Sequence, residues 1–324
     1  MLRKVNKDTR FISFSEHETA PLCDGVPVER IRRRGTFFRP VSSKEPTLEQ
    51  ALKRHNIDVL LTTIGASSIS TRLPKLTFAL DMILPGSLPV KNKVHSPVPR
   101  AIKRNCSESR FVLCASAYMQ KVCSTRANVG LEKVVVARPG VSQSFTKKCS
   151  SIIEGPYAVF PMNRYSCRNI ATVTEAIRRN PSLFPPTLVV MGPKYVEEPA
   201  NWGIPKISVE QCPDNIISSL FQNAELILYP AQGDGSGTVA QQALCAGGCL
   251  ITSKSGANFE AAGSIPFYFE ADSSVSLLQI IRRMRGETPE EKTKRQQMGQ
   301  ALVLDCTWER CAAKIVSALK RSLL

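Results

Sequence analysis

The sequence has 324 residues, of which 22% are charged and 43% are hydrophobic, and its formal net charge is +16. This length accommodates two domains of ordinary size, and this composition excludes a largely disordered chain. No apolar run approaches the roughly 18 residues that a membrane-spanning helix requires, and the first residues contain no apolar signal-peptide core. We therefore expect a cytoplasmic protein.

The positive charge is concentrated in the first half of the chain. Residues 1–150 contain 26 Lys and Arg against 11 Asp and Glu, whereas residues 151–324 contain 17 and 16. A basic half beside a neutral half predicts an anionic partner, such as a phospholipid surface, nucleic acid or a phosphorylated acceptor. A solvated basic surface with no specific partner is the alternative.

The 11 cysteines are scattered along the chain and form no CxxC pair. They also lack neighbouring histidines in the spacing that zinc sites use. This pattern predicts free thiols in a reducing compartment and argues against a zinc site.

Apolar runs alternate with helical patterns from residue 56 onward. In the first half the predicted strands are NIDVLLTTI, KLTFALD, SRFVLCAS and KVVVARPGV, and the predicted helix is SAYMQKVCSTRA. Polar and small residues at 142–157 separate these strands from the next set. We therefore expect a first domain over 1–148, a second over 149–304, and a closing C-terminal helix over 305–324.

The second half continues the alternation of strands and helices. Its predicted strands are YAVF, TLVVMGP, PKISV, ELILYP, CLITS and FYFE, and its predicted helices are RNIATVTEAIRRN, DNIISSLFQNA and the stretch before CLITS. Two further helices follow, the first opened by a capping box of Thr288 and Glu291 and the second by Thr307. Buried strands alternating with helices predict an α/β fold built on parallel sheets.

A glycine-rich loop stands out in the segment Leu226–Ser253, LILYPAQGDGSGTVAQQALCAGGCLITS. Gly233, Gly235 and Gly237 lie just before a predicted helix, and amides at a helix N-terminus bind phosphate well. The loop matches a dinucleotide fingerprint only loosely, because no acidic residue ends the following strand. No Gly-Lys-Ser/Thr follows, which excludes a P-loop. A tight turn that needs positive φ is the alternative.

This segment resembles the donor-binding segment of retaining family 4 glycosyltransferases, P-S-x-x-E-G-F-G-x-P-x-x-E-A-x-A-x-G-x-P-V-I-x-S. The residues in register are Pro230, Gly235, Gly237, Ala243, Ala246, Gly247, Ile251 and Ser253. Other segments resemble the family in the same order: LCASAYMQKV with EKVVVARPGVSQSF, YAVFPMNRYSCRNIATVTEAI, LVVMGP, GANFEAAGSIPFYFEADS (with Glu260 and Gly263) and TWERCAAKIVSAL. Their shared order and spacing make the resemblance specific.

The resemblance implies a GT-B architecture, in which two Rossmann-like domains face each other across a cleft. It implies that a hexose passes from a nucleotide diphosphate sugar to a glycan or lipid-linked acceptor with retention of configuration. It further implies no cofactor and no metal, because cationic side chains and a helix N-terminus stabilise the leaving diphosphate.

The resemblance also implies roles for individual residues. It points to Asp234 and Arg168 as catalytic residues and to Asp81 on the acceptor side. The donor-binding residues that it implies are Arg164, Gly192, Gly235, Ser236, Gly237, Thr238 and Gln242.

Four positions depart from the family pattern. Asp234 is one methylene shorter than the usual Glu, and Gln242 replaces a second carboxylate. Asn163 stands at the position of a phosphate-binding Arg, and Leu80 at that of a His. The family's N-terminal strand and glycine-rich turn are not recognisable, so we expect either that upstream residues are missing from this reading frame or that the first domain is shortened. These departures favour an alternative, a catalytically silent GT-B protein that binds a nucleotide or glycan or scaffolds a partner.

Two basic segments, VERIRRRGTFFRP and KNKVHSPVPRAIKRN, would lie on the acceptor side of such a fold. Each Lys or Arg near an anionic membrane contributes roughly 1 kcal/mol of binding. We therefore expect peripheral attachment to the inner face of a membrane. We expect no nucleic-acid partner, because no nucleic-acid-binding module is recognisable.

Overall fold

The structure is a computed structural model that describes residues 10–15, 26–31, 47–63, 71–79, 100–163, 169–192, 201–210 and 212–324. Within these residues, all strand pairings are parallel and form sheets of two, four and six strands. The expected α/β fold with parallel sheets is therefore confirmed.

The first half of the chain contains the two smaller sheets. The two-stranded sheet pairs β1 (Ser13–Ser15) with β2 (Val28–Arg30). The four-stranded sheet has the order β3 (Leu60–Thr63), β4 (Lys75–Ala79), β5 (Phe111–Cys114) and β6 (Val134–Val136). The α-helices that the structure describes in this half are α1 (Leu48–Arg54), α2 (Arg100–Glu108) and α3 (Ala117–Ala127). We call the four-stranded sheet with α2 and α3 the N-terminal lobe.

The second half of the chain contains the six-stranded sheet. Its strands are β7 (Tyr157–Pro161), β8 (Thr187–Met191), β9 (Lys206–Val209), β10 (Leu226–Tyr229), β11 (Leu250–Ser253) and β12 (Phe267–Phe269), in the order β12-β11-β10-β7-β8-β9. The helices are α4 (Ile170–Arg179), α5 (Asp214–Asn223), α6 (Thr238–Cys245), α7 (Asn258–Ala262), α8 (Ser274–Arg285), α9 (Pro289–Val303) and α10 (Trp308–Ser322). We call this sheet with α4 to α9 the C-terminal lobe.

Apolar side chains cover both faces of the six-stranded sheet. On one face, Phe160 and Leu188 of the strands pack with Ile177 of α4 and Ile281 of α8. On the other face, the strands pack against α5 and α6. Burial on both faces explains why these strands are continuous apolar runs instead of alternating ones.

The N-terminal sheet is covered by two different parts of the chain. Helices α2 and α3 cover one face, where Ile102 and Met119 pack against Val112. The last helix, α10, covers the other face, where Ile315 packs in one cluster with Leu113. The chain therefore returns to its first lobe at its end.

All strands predicted from residue 56 onward are confirmed, as are the helices that become α3, α4, α5, α6, α9 and α10. The sequence made no prediction for α1, α2, α7 or α8. Helix α8 had a usable signal, since Ser273 caps it and Leu277 and Ile281 form its buried face. The domain boundaries at 148 and 304 stay predictions.

The segment before β7, which connects the four-stranded sheet to the six-stranded sheet, is hydrogen-bonded to the C-terminal lobe. Side chains of α5 bind its backbone: Ser218 to Ser144 O, Ser219 to Ser150 O, Gln222 to Lys147 O and Asn223 to Cys149 O. The polar connecting segment predicted at 142–157 is thus held against α5 by these hydrogen bonds.

The cysteines of the described residues are free thiols, as predicted. Burial raises the pKa of Cys106 to about 11 and that of Cys114 to about 12. Among the described residues, no helix combines the length and apolar character needed to cross a bilayer.

Candidate functional site

The order of the strands places the glycine loop at the centre of the six-stranded sheet. The first strand of that sheet, β7, lies between β8 and β10, so the chain runs outward from it in both directions. In open parallel sheets, ligands bind beyond the carboxyl ends of the strands where the order reverses. The glycine loop follows β10 directly and therefore borders this switch point.

The carboxylate of Asp234 organises the glycine loop. Its Oδ1 accepts hydrogen bonds from the amides of Ser236 at 2.8 Å and Gly237 at 3.2 Å, and from the Ser236 hydroxyl at 3.0 Å. Its Oδ2 accepts a bond from the Tyr229 hydroxyl at 3.0 Å. Only 2% of Asp234 is exposed. The geometry shows a loop-shaping carboxylate, and the catalytic role expected for it stays a prediction.

Two asparagines connect the loop after β7 to the end of β10. Asn163 Nδ2 donates to the Tyr229 hydroxyl at 3.0 Å, and Asn169 Nδ2 donates to Pro230 O at 2.6 Å. Asn163 stands where the resemblance places a phosphate-binding Arg. In this structure it supports the residue that holds Asp234.

Gly237 is required at the start of α6 for two reasons. Its φ is +66°, a conformation that side chains disfavour. A Cβ there would also lie 2.5 Å from the Cβ of Ala261 and 2.8 Å from Ala257 O, both on the segment that forms α7. The glycine therefore lets α7 pack directly against the loop.

The first turn of α6 presents amides toward the switch point. Thr238 N donates a hydrogen bond to the Ser236 hydroxyl oxygen at 3.3 Å. The amides of Val239 and Ala240 donate to no atom in the described part of the chain. Unpaired amides at a helix N-terminus carry partial positive charge and attract an anionic group.

The other residues that were predicted to bind the donor lie in different parts of the fold. Gly192 follows β8, and a Cβ there would lie 2.2 Å from Met162 O, so the glycine permits close approach of the chain segments that follow β7 and β8. Gln242 is partly exposed in the second turn of α6. Arg164, Arg168 and Asp81 lie outside the described residues, as does Leu80. Donor binding by all of these residues stays a prediction.

The N-terminal lobe contacts the glycine loop directly. Ser116, the N-cap of α3, donates its hydroxyl to Gly235 O at 2.6 Å. Glu260 of α7 accepts bonds from the amides of Ala117 and Tyr118 and pairs with Arg138. The sequence analysis did not predict these contacts; the signal available was Ser116 at the start of the predicted helix SAYMQKVCSTRA, because Ser is a favoured N-cap residue.

Among the described residues, no three His, Cys, Asp or Glu side chains group in a way that could hold a metal ion. The expectation of a metal-independent site stays a prediction.

Two parallel α/β lobes, in contact through the glycine loop of one and a helix start of the other, define a double Rossmann-like protein. No protein-family profile matches the sequence, and no curated protein sequence is significantly similar to it. Solved structures do match. Anabaena HepE in complex with UDP is 16% identical with a TM-score of 0.67, covering 91% of this chain and 86% of that one.

Two further solved structures give the same result. A glycosyltransferase from Rickettsia africae ESF-5 is 14% identical with a TM-score of 0.66, over 92% of this chain and 85% of that one. A sucrose-phosphate synthase from Thermosynechococcus elongatus is 12% identical with a TM-score of 0.66, over 85% and 76%. The protein therefore has the GT-B fold of glycosyltransferases, as the sequence predicted.

Proposed function

We propose that the protein is a glycosyltransferase that binds a nucleotide diphosphate sugar at the glycine loop. The observation that carries this proposal is the placement of the loop and the α6 amides at the switch point of the C-terminal lobe. It is supported by GT-B neighbours whose structures hold UDP or UDP-glucose.

The proposed reaction is transfer of a hexose to a glycan or lipid-linked acceptor, with retention and without a metal. As the bond between the sugar and the diphosphate breaks, the leaving diphosphate gains negative charge. The α6 amides and the guanidinium groups of Arg164 and Arg168 would stabilise this charge. Gln242 would hydrogen-bond the ribose, and Asp81 would face the acceptor.

Calorimetric titration with UDP, GDP and ADP tests donor binding. We expect one of them to bind, and we expect Gln242→Ala and Arg168→Ala each to weaken binding by about tenfold, the cost of losing one polar or charged hydrogen bond. Gln297→Ala and Arg179→Ala are matched controls on exposed helical positions of the same lobe. No heat with any nucleotide, or equal losses in the controls, would contradict the proposal.

A catalytically silent nucleotide-binding protein is the second candidate. Asp234 favours it, because its carboxylate is buried and both of its oxygens already accept hydrogen bonds from Ser236, Gly237 or Tyr229. Release of nucleoside diphosphate from a sugar nucleotide distinguishes the two candidates. Binding without any release would identify the silent protein, whereas acceptor-dependent release would identify the enzyme.

An anionic membrane is the proposed surface partner of the basic N-terminal half. Lys103 and Arg104 are exposed on α2, and most of the other basic residues of the two segments lie outside the described part of the chain. Co-flotation with vesicles rich in phosphatidylserine, lost at high salt, is the expected result. Absence of flotation at low salt would rule out this partner.

A further inference from the structure

Glu260 joins the two lobes through three hydrogen bonds. Its Oε1 accepts from Ala117 N at 3.0 Å, and its Oε2 accepts from Tyr118 N at 2.9 Å. Arg138, which follows β6, pairs with the same carboxylate. Glu260 belongs to the C-terminal lobe, whereas all three donors belong to the N-terminal lobe.

These bonds complete the N-terminal cap of α3. A helix begins with four amides that have no partner within the helix. Ser116 accepts from one of them, Met119 N at 3.0 Å, and Glu260 accepts from two more. The first turn of α3 contains no acidic residue of its own. The opposite lobe therefore supplies the negative charge that a helix N-terminus favours.

Glu260 is also coupled to the glycine loop. Ala257 N, at the start of its helix, donates to Asp234 O at 2.7 Å. Gly237 packs against Ala257 and Ala261, leaving no room for a side chain. On the other side of the loop, Ser116 donates to Gly235 O. Displacement of the loop would therefore displace Glu260 relative to α3.

Among the described residues, the lobes also touch where the chain passes between them, at Val141 and at Cys306, and where α10 packs on the N-terminal sheet. Val141 N donates to Cys306 O at 2.9 Å, which joins these two chain crossings. Chain crossings of this kind allow rotation, because few residues need to change their backbone angles. The bonds of Glu260 and Ser116 oppose such a rotation.

We propose that Glu260 is a latch that holds the two lobes together by capping α3 from the opposite lobe. Glu260 is a positioning residue: it fixes the glycine loop against the N-terminal lobe. Rotation of the lobes away from each other would leave the amides of Ala117 and Tyr118 without their acceptor and would separate the Glu260 carboxylate from Arg138. The latch needs no bound ligand and is therefore independent of the proposed function.

Hydrogen exchange of the ligand-free protein tests the latch. In Glu260→Gln and Glu260→Ala we expect exchange at Ala117 and Tyr118 to accelerate by about tenfold or more, because hydrogen bonds to a charged acceptor are lost. Exchange in β5 and β7 should not change. X-ray scattering should give a larger radius of gyration for Glu260→Ala. Glu270→Gln, an exposed carboxylate in the same lobe, is the control.

Two further variants separate capping from simple ion pairing. Arg138→Ala leaves both amide bonds in place, so we expect a smaller acceleration than in Glu260→Ala. The exchanged pair Glu260→Arg with Arg138→Glu can restore the ion pair but places a cation against the α3 amides. We therefore expect exchange there to remain fast.

Three results would overturn the proposal. The first is a rate of amide hydrogen exchange at Ala117 and Tyr118 that is the same in Glu260→Ala as in wild type. The second is equal acceleration throughout both lobes, which would make Glu260 a general stability residue. The third is full protection in the exchanged pair, which would make the ion pair alone responsible.

Discussion

At the residue scale, Asp234 determines the conformation of the glycine loop. Its two oxygens accept hydrogen bonds from Ser236, Gly237 and Tyr229, and it is almost fully buried. An Asp that accepts from the amide two residues later forms an Asx turn, which is a local preference of this side chain. The anion-attracting start of α6 is therefore held in place by a carboxylate.

Asp234→Ala should destabilise the protein by about 2 to 3 kcal/mol, because buried donors lose a charged acceptor. Asp234→Asn keeps the shape and one acceptor oxygen and should cost less. Tyr229→Phe removes a single bond and should cost about 1 kcal/mol. Urea unfolding followed by circular dichroism measures these differences. Equal stability of wild type and Asp234→Ala would show that the loop does not depend on this carboxylate.

At the element scale, a buried lysine joins β4 to α2. Lys75 is 3% exposed, and its ammonium group donates to Asn105 at 3.4 Å and to Glu108 at 3.3 Å. The hydrogen bond from Arg104 holds the pKa of Glu108 below its ordinary value, and Lys75 adds to this effect. The negative charge of Glu108 thus compensates the positive charge of the buried Lys75.

The lowered pKa of Glu108 predicts a specific acid sensitivity. A carboxyl whose pKa is lower in the folded state adds stability above its unfolded pKa of about 4.3, and this stability is lost as pH falls through the folded pKa. Glu108→Gln should therefore be about 1 kcal/mol less stable than wild type at pH 7. The difference should shrink below pH of about 4.

Urea unfolding at neutral and acidic pH measures this dependence. Glu132→Gln, an exposed carboxylate of the same lobe, is the matched control and should leave the pH profile unchanged. A constant difference between wild type and Glu108→Gln at all pH values would refute the assignment.

At the scale of the whole molecule, α10 links the second half of the chain to the sheet of the first half. Cys311, Ile315 and Ala318 of α10 pack on the N-terminal sheet with Leu76 and Leu113. The N-terminal lobe therefore completes its core only when the C-terminus has been made. This arrangement makes the stability of the first half depend on residues at the far end of the sequence.

Truncation after Thr307 should destabilise the N-terminal lobe by about 5 kcal/mol or more, because it uncovers one apolar face of the sheet. Truncation after Ser322 is the control, since it removes only Leu323 and Leu324, which are 58% and 97% exposed. Dye binding to exposed apolar surface and urea unfolding measure both effects. Wild-type behaviour of the longer truncation would contradict this account of the core.

Much of the fold could be predicted because its signals are local. The strands around β7 and β10 are apolar runs that burial on both faces requires. The start of α9 follows from the capping box of Thr288 and Glu291, whose two bonds are present. The glycine loop could be located in the same way, by small residues between a strand and a helix.

The sequence alone therefore determined the α/β class, most of the elements and the position of the glycine loop, because these depend on periodicity, capping and turn residues within short stretches. Only the tertiary structure decided which residues surround that loop. Ser116 is hydrogen-bonded to Gly235, which is 119 residues away in the sequence, and Ala117 to Glu260, which is 143 residues away. Contacts at such separations arise from the packing of whole elements, and no local pattern of residues specifies them.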